Sequence, residues 1–411
     1  MTSRERVRTV LAGGIPDKVP VDIGGTFVTG MHVNTYLALG EYLGIDLELP
    51  KVYDQYQMLA RVGEEIRSWF GSDIVQIEND STSWFGIPNR DWKPWTNTSG
   101  RQVLIPGGMN PIKDEKGDYY LYDSSGNKLA VMAANAVYFH KCYPSDYFHE
   151  FDDDPTDPQA WKNELPLYSD EELKNIQQRA KFWYENTGYS LFGAFEKGRL
   201  SSSTAFAHYK LEEWLVLMKL EPEYANEILQ ATAERAVDNL KLYLEACGDY
   251  IDAALISPAD YGTQRGLMFS QQDFEDLYVP NYKLITDYLH QHSKVKAFFH
   301  SCGSIKPLIP SFIKMGCDAL NPVQISAEDM DPTELKNRFG KDIVFWGGGL
   351  NTQGTLPSGT EEEVYEETKR NMQIFMKDGR YIFTPVQNIQ ADVPPQNLAA
   401  MARAIRDFRS Y

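Results

Sequence analysis

Short runs rich in β-branched and aromatic residues alternate with longer segments of helical spacing along most of this chain. The runs lie at 19–25 (VPVDIGG), 73–79 (DIVQIEN), 189–195 (YSLFGAF), 250–256 (YIDAALI), 294–300 (KVKAFFH), 318–323 (DALNPV), 342–348 (DIVFWGG) and 381–386 (YIFTPV). Such near-continuous apolar runs are expected of parallel strands covered on both faces. The segment 52–71 places apolar residues at three- and four-residue steps and predicts an amphipathic helix. Helical spacing also follows each later run, and the closing segment PPQNLAAMARAIRDF opens with proline, as helix starts favour. Eight strand–helix units are the count of an α/β fold of the (β/α)8 TIM-barrel type, here one domain over 1–411. A doubly wound open sheet is the alternative.

One region breaks the rhythm. Between 88 and 145 short alternating runs are split by PGG, EKGD and SSGNK, which predicts β-hairpins inserted after the second strand. The acidic, proline-rich stretch HEFDDDPTDPQAW then predicts a loop leading into a helix. Trp84, Trp92, Trp95, Tyr119 and Tyr120 either line an aromatic pocket there or pack the hairpins.

Composition narrows the function classes. The formal net charge of −18 speaks against a nucleic-acid partner, which calls for a basic face. No run of apolar residues is long enough for a membrane span, and the charged start has no apolar signal region, so a cytoplasmic protein is expected. Four scattered cysteines do not make a disulfide framework and leave thiols for metal or catalytic work.

In a barrel the site lies at the C-terminal strand ends. Those ends carry Asp22, Glu78, Asp80, Glu196, Asp260, His300, Cys302, Asn321, Gln324, Asn351, Gln353, Gln387 and Asn388. His300 and Cys302 are two apart at a strand end, so an imidazole and a thiolate face the same way and suit zinc. By itself an H-x-C pair is also what small buried polar residues at a strand end look like. Two ligands are too few for a catalytic zinc; Asp260 on the neighbouring loop is better placed as a third than the remaining cysteines, and Glu78, Glu196 and Gln387 stand at the same rim. WGGGLN (346–351) lacks a following Lys-Ser/Thr and predicts a tight turn, not a phosphate loop.

The segments SRERVRTVLAGGIPDKVPVDIGG, DYGTQRG, HSCGSI, DALNPVQ, WGGGLNTQ and YIFTPVQNIQADVPPQN, in this order and spacing, resemble the uroporphyrinogen decarboxylase family. The resemblance covers the first 25 residues and roughly 250 to 411, and it implies a (β/α)8 barrel. The family's decarboxylases bind polycarboxylate tetrapyrroles through arginines near the N-terminus. The segment DIGGTFVTGMHVNTY has none, so that substrate is not expected. The corrinoid-linked methyltransferases of the family carry H-x-C, matched here by His300 and Cys302. Their coenzyme-M members add a late cysteine, whose place here falls at Gln387.

The chain therefore looks more like the methyltransferase components of O-demethylase systems. That likeness implies a methyltransferase that moves a methyl group from a small methylated, methoxy-aromatic substrate to a corrinoid protein with zinc assistance. His300, Cys302 and Asp260 are the expected metal ligands. Asp260, Gln387 and Asn321 are expected to do catalytic work, and Asn351 and Gln353 to contact the cofactor. None of the seven histidines has aspartate two residues before it, so the corrinoid is expected on a separate partner protein. The alternatives are a corrinoid- or tetrapyrrole-binding barrel without catalysis and a metal-free lyase of the decarboxylase type.

Overall fold

The computed structural model describes residues 1–80, 84–144, 147–148, 155–198, 200 and 205–411. Seven parallel strands form one sheet: β1 (Ile74–Ile77), β2 (Ser190–Gly193), β3 (Ala253–Ser257), β4 (Lys296–His300), β5 (Ala319–Asn321), β6 (Val344–Trp346) and β7 (Tyr381–Ile382). They lie side by side in chain order. Strand–helix alternation with that order is the (β/α)8 architecture the periodicity predicts.

The expected strand at 19–25 is shorter than predicted, and it closes the barrel. Val21 makes a parallel bridge to Phe383. Asp22 N–H donates to the Phe383 carbonyl at 2.8 Å on one side, and Asp73 N–H donates to the Val21 carbonyl at 2.7 Å on the other. The segment thus joins the two edges of the sheet. Two glycines then turn the chain away. Gly24 has φ +72°, and a Cβ on Gly25 would stand 2.4 Å from Asp22 Oδ1.

Alternation along the strands makes two cores. Ile74, Phe192, Ala253, Leu255, Phe298, Ala319, Val344, Trp346 and Ile382 fill the barrel interior, joined by Val7, Val10 and Leu11 of the helix Ser3–Leu11 and by Phe27 and Val28. Phe192, Phe298 and Trp346 meet edge to face at 4.9 to 5.9 Å between ring centroids. The intervening strand residues, such as Val75, Leu191, Ala254, Phe299, Leu320 and Phe345, pack under the outer helices. At the base, Asp73 draws the chain ends together. Its carboxylate accepts from Arg6 Nη1 at 2.6 Å, Arg409 Nη2 at 2.7 Å, Val21 N at 2.9 Å and Ser3 Oγ at 2.7 Å.

The helix expected over 52–71 is the clearest departure from the sequence reading. Val52–Asp54 and Leu59–Ala60 form a hairpin, and only Glu64–Phe70 is helical. Long-range pairing decides this. Leu59 bridges His32, and Lys51 bridges Leu104 of the insertion. A helix over Val33–Leu43, stopped by Gly44 at φ +65°, was not predicted. In the insertion, Lys93–Thr96 pairs with Gln102–Ile105, and four further strands between 112 and 141 form an antiparallel sheet. Of the loop predicted at 149–161, residues 149–154 lie outside the described residues. The helix it leads into is Pro158–Glu164. Among the described residues no helix is long and apolar enough to cross a membrane.

Asp22 is fully buried near the upper end of the interior. It accepts from Trp346 Nε1 at 2.8 Å, Thr29 Oγ1 at 3.0 Å and Gly25 N at 3.1 Å. Burial outweighs these bonds and pushes its carboxyl from an ordinary 3.8 up to about 7. Between these two values the folded chain holds a proton that the unfolded chain has released. Stability is therefore lost as pH rises through that window. Asp22→Asn removes the titration, so its stability relative to the parent will rise from pH 4 to pH 7 and then level off. The expected gain is at most about 4 kcal/mol by linkage, read from denaturant unfolding of both proteins at several pH values.

Candidate active site

The upper layer of the barrel interior is polar and tied together. Phe298 faces inward, so His300, two residues on at the end of β4, faces inward too. By the same alternation Asn321 ends β5 inward and Trp346 ends β6 inward. His300 pairs in register with Asn321. The His300 Nδ1 lies 2.6 Å from Asn321 Oδ1, and Asn321 Nδ2 donates to the Trp346 carbonyl at 2.8 Å. The second bond fixes the amide so that its oxygen faces the ring. Nδ1 is then the protonated nitrogen, and Nε2 is left with a lone pair directed away from the wall.

That lone pair meets two further donors. Cys302 Sγ is 3.3 Å from His300 Nε2, and Asp260 Oδ1 is 3.6 Å from it. The ligand atoms of Asp260, His300 and Cys302 all lie within 4.8 Å of one another. Two glycines make this convergence possible. Gly303 has φ +90°, and a Cβ there would stand 2.3 Å from the Gly262 carbonyl carbon. The loops after β3 and β4 therefore touch backbone to backbone, and Asp260 Oδ1 accepts from the Cys302 N–H at 2.8 Å. Burial and the neighbouring Asp260 carboxylate hold the Cys302 thiol well above its ordinary range. A divalent cation between sulfur and carboxylate removes both penalties. The donor set of one nitrogen, one sulfur and one oxygen fits zinc, with a fourth position open.

Gln387, at the place of the absent late cysteine, reaches this cluster. Its Nε2 lies 2.5 Å from Cys302 Sγ. The next residue holds that loop in place. Asn388 Oδ1 accepts from Gly30 N at 2.6 Å, while its Nδ2 donates to the Phe27 carbonyl at 3.0 Å and to Gln57 Oε1 at 2.9 Å. Asn351 and Gln353 lie elsewhere. Asn351 Oδ1 accepts from Gln353 N at 2.9 Å, and Asn351 N donates to Glu367 at 2.9 Å. The Gln353 amide oxygen accepts from Ser326 Oγ at 2.8 Å, and the Gln324 amide stands 3.4 Å from it. Gln324 Oε1 in turn accepts from Gly303 N at 2.8 Å. Gln324 thus braces the loop that carries Cys302, and Gln353 ties Gln324 to Ser326. The WGGG turn is what its glycines predict: a Cβ on Gly347 would stand 1.9 Å from the Pro322 carbonyl oxygen.

Two of the other rim carboxylates are held in ion pairs. Glu78 pairs with Arg61 and Asp80 with Arg179. Trp92 packs beneath the Arg61 guanidinium, and Trp95 meets Tyr119 at 5.6 Å. Cys247 and Cys317 are buried and donate to the carbonyls of Tyr243 and Ala319, away from the site.

Asn321→Ala will separate support of the ligand from the ligand itself. Loss of the partner that orients the imidazole is expected to weaken zinc binding by roughly 10- to 100-fold while leaving the three donors in place. Competition against a chromogenic chelator reads this directly.

The uroporphyrinogen decarboxylase (URO-D) family model matches residues 203–408, half of the chain. Among solved structures, a methyltransferase from Methanosarcina mazei superposes with a TM-score of 0.57 at 13% identity, covering 99% of each chain. A GH10 endoxylanase retrieved from a sugarcane soil metagenome reaches a TM-score of only 0.36 at 9% identity, covering 60% of this chain and 85% of its own. No curated protein matches the sequence. The family match spans β3 to β7 and with them every residue of the metal-ligand cluster. On that ground the chain belongs to the uroporphyrinogen decarboxylase family.

Proposed function

We propose that this protein is a zinc-dependent methyltransferase that passes a methyl group from a small methylated ether to a corrinoid carried by a separate protein. The observation that carries the reading is the convergence of Asp260, His300 and Cys302 at one strand end, with His300 fixed by Asn321. The resemblance to corrinoid-linked methyltransferases and the fold shared with the Methanosarcina enzyme support it.

Asp260, His300 and Cys302 would hold the metal. Bound there, zinc supplies Lewis acidity to the ether oxygen, which must leave with the electron pair of its bond to methyl. The protein's own groups do the rest. Asn321 keeps the imidazole in the ligating tautomer. Gly262 and Gly303 press the two ligand loops together. The apolar layer below, with Phe298 and Trp346, keeps water from entering through the barrel. A polycarboxylate substrate suits this mouth poorly, since Arg61 and Arg179 are both paired with carboxylates.

The test uses the zinc-loaded protein, cob(I)alamin and a panel of methoxybenzenes, followed by loss of the cob(I)alamin absorbance. Turnover with at least one ether that stops when zinc is removed and returns when it is restored is the expected result. No reaction with any member of the panel would remove the proposal.

A further inference from the structure

Two irregularities lie behind the loop that carries Asp260, one in β3 and one in the helix that follows it. At the end of β3 the register slips. Leu255 pairs with Phe298, while Ser257, two residues on, pairs with Phe299, only one residue on. Leu255 and Phe298 face the barrel interior, and Phe299 faces the outer helices. A regular strand would turn Ser257 inward with Leu255. The bulge aligns it with Phe299 instead, and its fully buried hydroxyl meets that of Tyr282 at 2.8 Å.

Tyr282 belongs to the helix Val279–His292 and packs edge to face on Phe299 at 5.1 Å. The turn before that helix, Phe274–Tyr278, is wider than an α-turn: Val279 N–H donates to the Phe274 carbonyl, five residues back. In a straight α-helix, residues eight apart drift by about 80° around the axis. The wider turn takes up that drift. Phe274, Tyr278 and Tyr282 therefore share one face toward Tyr261, at 4.9, 5.2 and 6.5 Å between ring centroids. The hydroxyls of Tyr261 and Tyr282 stand 2.6 Å apart.

Ser257, Tyr282 and Tyr261 thus form a buried chain of three hydroxyls whose ends bracket Asp260 in the sequence. The backbone between those ends is held on both sides of Asp260. Ala259 N–H donates to Ser257 Oγ at 3.3 Å, and Tyr261 N–H donates to Ser301 Oγ, between His300 and Cys302, at 3.0 Å. Outer partners of this kind orient a ligand without touching the metal.

We propose that Tyr282 is a positioning residue for the metal-ligand cluster: its hydroxyl, by joining Ser257 to Tyr261, fixes the backbone from which the Asp260 carboxylate reaches the metal. This rests on the zinc reading above and adds to it a support that comes from a helix outside the barrel. Chelator competition for zinc tests it in the parent, Tyr282→Phe, Asp260→Ala and the double variant. Tyr282→Phe keeps the ring and should weaken zinc binding roughly tenfold. Asp260→Ala should bind zinc more weakly than the parent. On that background Tyr282→Phe should change the affinity by less than about twofold, because the ligand it positions is gone. A loss of the same size on both backgrounds would show a general loosening and overturn the proposal. No loss in Tyr282→Phe would overturn it too and leave the zinc reading standing. A parent that binds no zinc, or Asp260→Ala with the parent's affinity, sinks the ligand assignment and the proposal with it. Tyr261→Phe breaks the same bond from the other side. It should show the same loss, again only with Asp260 present, and it decides the case if Tyr282→Phe fails to fold.

Discussion

Protein purified with zinc will lose the metal when Cys302 becomes alanine. The variant should hold less than a tenth of the parent's zinc after dialysis, measured by elemental analysis, and His300→Ala should behave alike. The reason is the size of the ligand set. With three protein donors, removal of one leaves two and an opened wall, a change well beyond the 10- to 100-fold expected for losing a supporting partner such as Asn321. The effect also appears in stability. A ligand that binds only the folded chain adds about 2.7 kcal/mol at a free concentration of 100 times its Kd. Added zinc should therefore raise the melting temperature of the parent and leave that of Cys302→Ala unmoved. Gln387→Ala is the informative contrast. If Gln387 only contacts the sulfur, its loss keeps the zinc, whereas Cys302→Ala does not. Equal zinc in the parent and in Cys302→Ala would sink the ligand assignment.

The largest effect on folding is expected from Asp73→Ala. Asp73 is almost fully buried and lies between the guanidinium groups of Arg6 and Arg409, whose side chains are only 5% and 9% exposed. It is also the acceptor for Val21 N–H on the segment that closes the barrel. Removing it leaves Arg409 with backbone carbonyls and no carboxylate, while Arg6 keeps Asp17. Breaking a buried pair from one side costs about 3–5 kcal/mol, because the remaining charge stays desolvated. Urea unfolding should show a loss of that order. Arg338→Ala, which breaks an exposed pair with Glu334, should change stability by about 1 kcal/mol or less. Similar losses in the two variants would mean that Asp73 does not clasp the barrel base.

The two kinds of site residue were not equally legible. His300 and Cys302 stand out because a period of two at a strand end is a local property, and Asp260 follows from adjacency of consecutive strands in a parallel sheet. Asn321 was placed at the rim, but its task as the partner of His300 Nδ1 depends on the register between β4 and β5. Asn351 and Gln353 were at the right end of the barrel, yet their amides are engaged in bracing loops. Asn388 was also placed at the rim, but what it does there was not legible. Its importance lies in bonds to residues more than 300 positions away.

What the sequence determined by itself was the alternation of strands and helices, the hairpin insertion, the family, and the pairing of an imidazole with a thiol. The alternation, the hairpins and the imidazole–thiol pair rest on spacing between near neighbours, and the family on segments in a fixed order along the chain. The tertiary structure alone decided how the barrel closes, since a few backbone bonds from 20–22 to Phe383 and Asp73 replace a full strand. It also decided that 52–60 is a hairpin. The apolar spacing there suits a helix, but pairing of Leu59 with His32 and of Lys51 with Leu104 outweighs a weak local preference. That single change of state packs Tyr53 against the barrel-interior cluster, where no reading of periodicity would have put it.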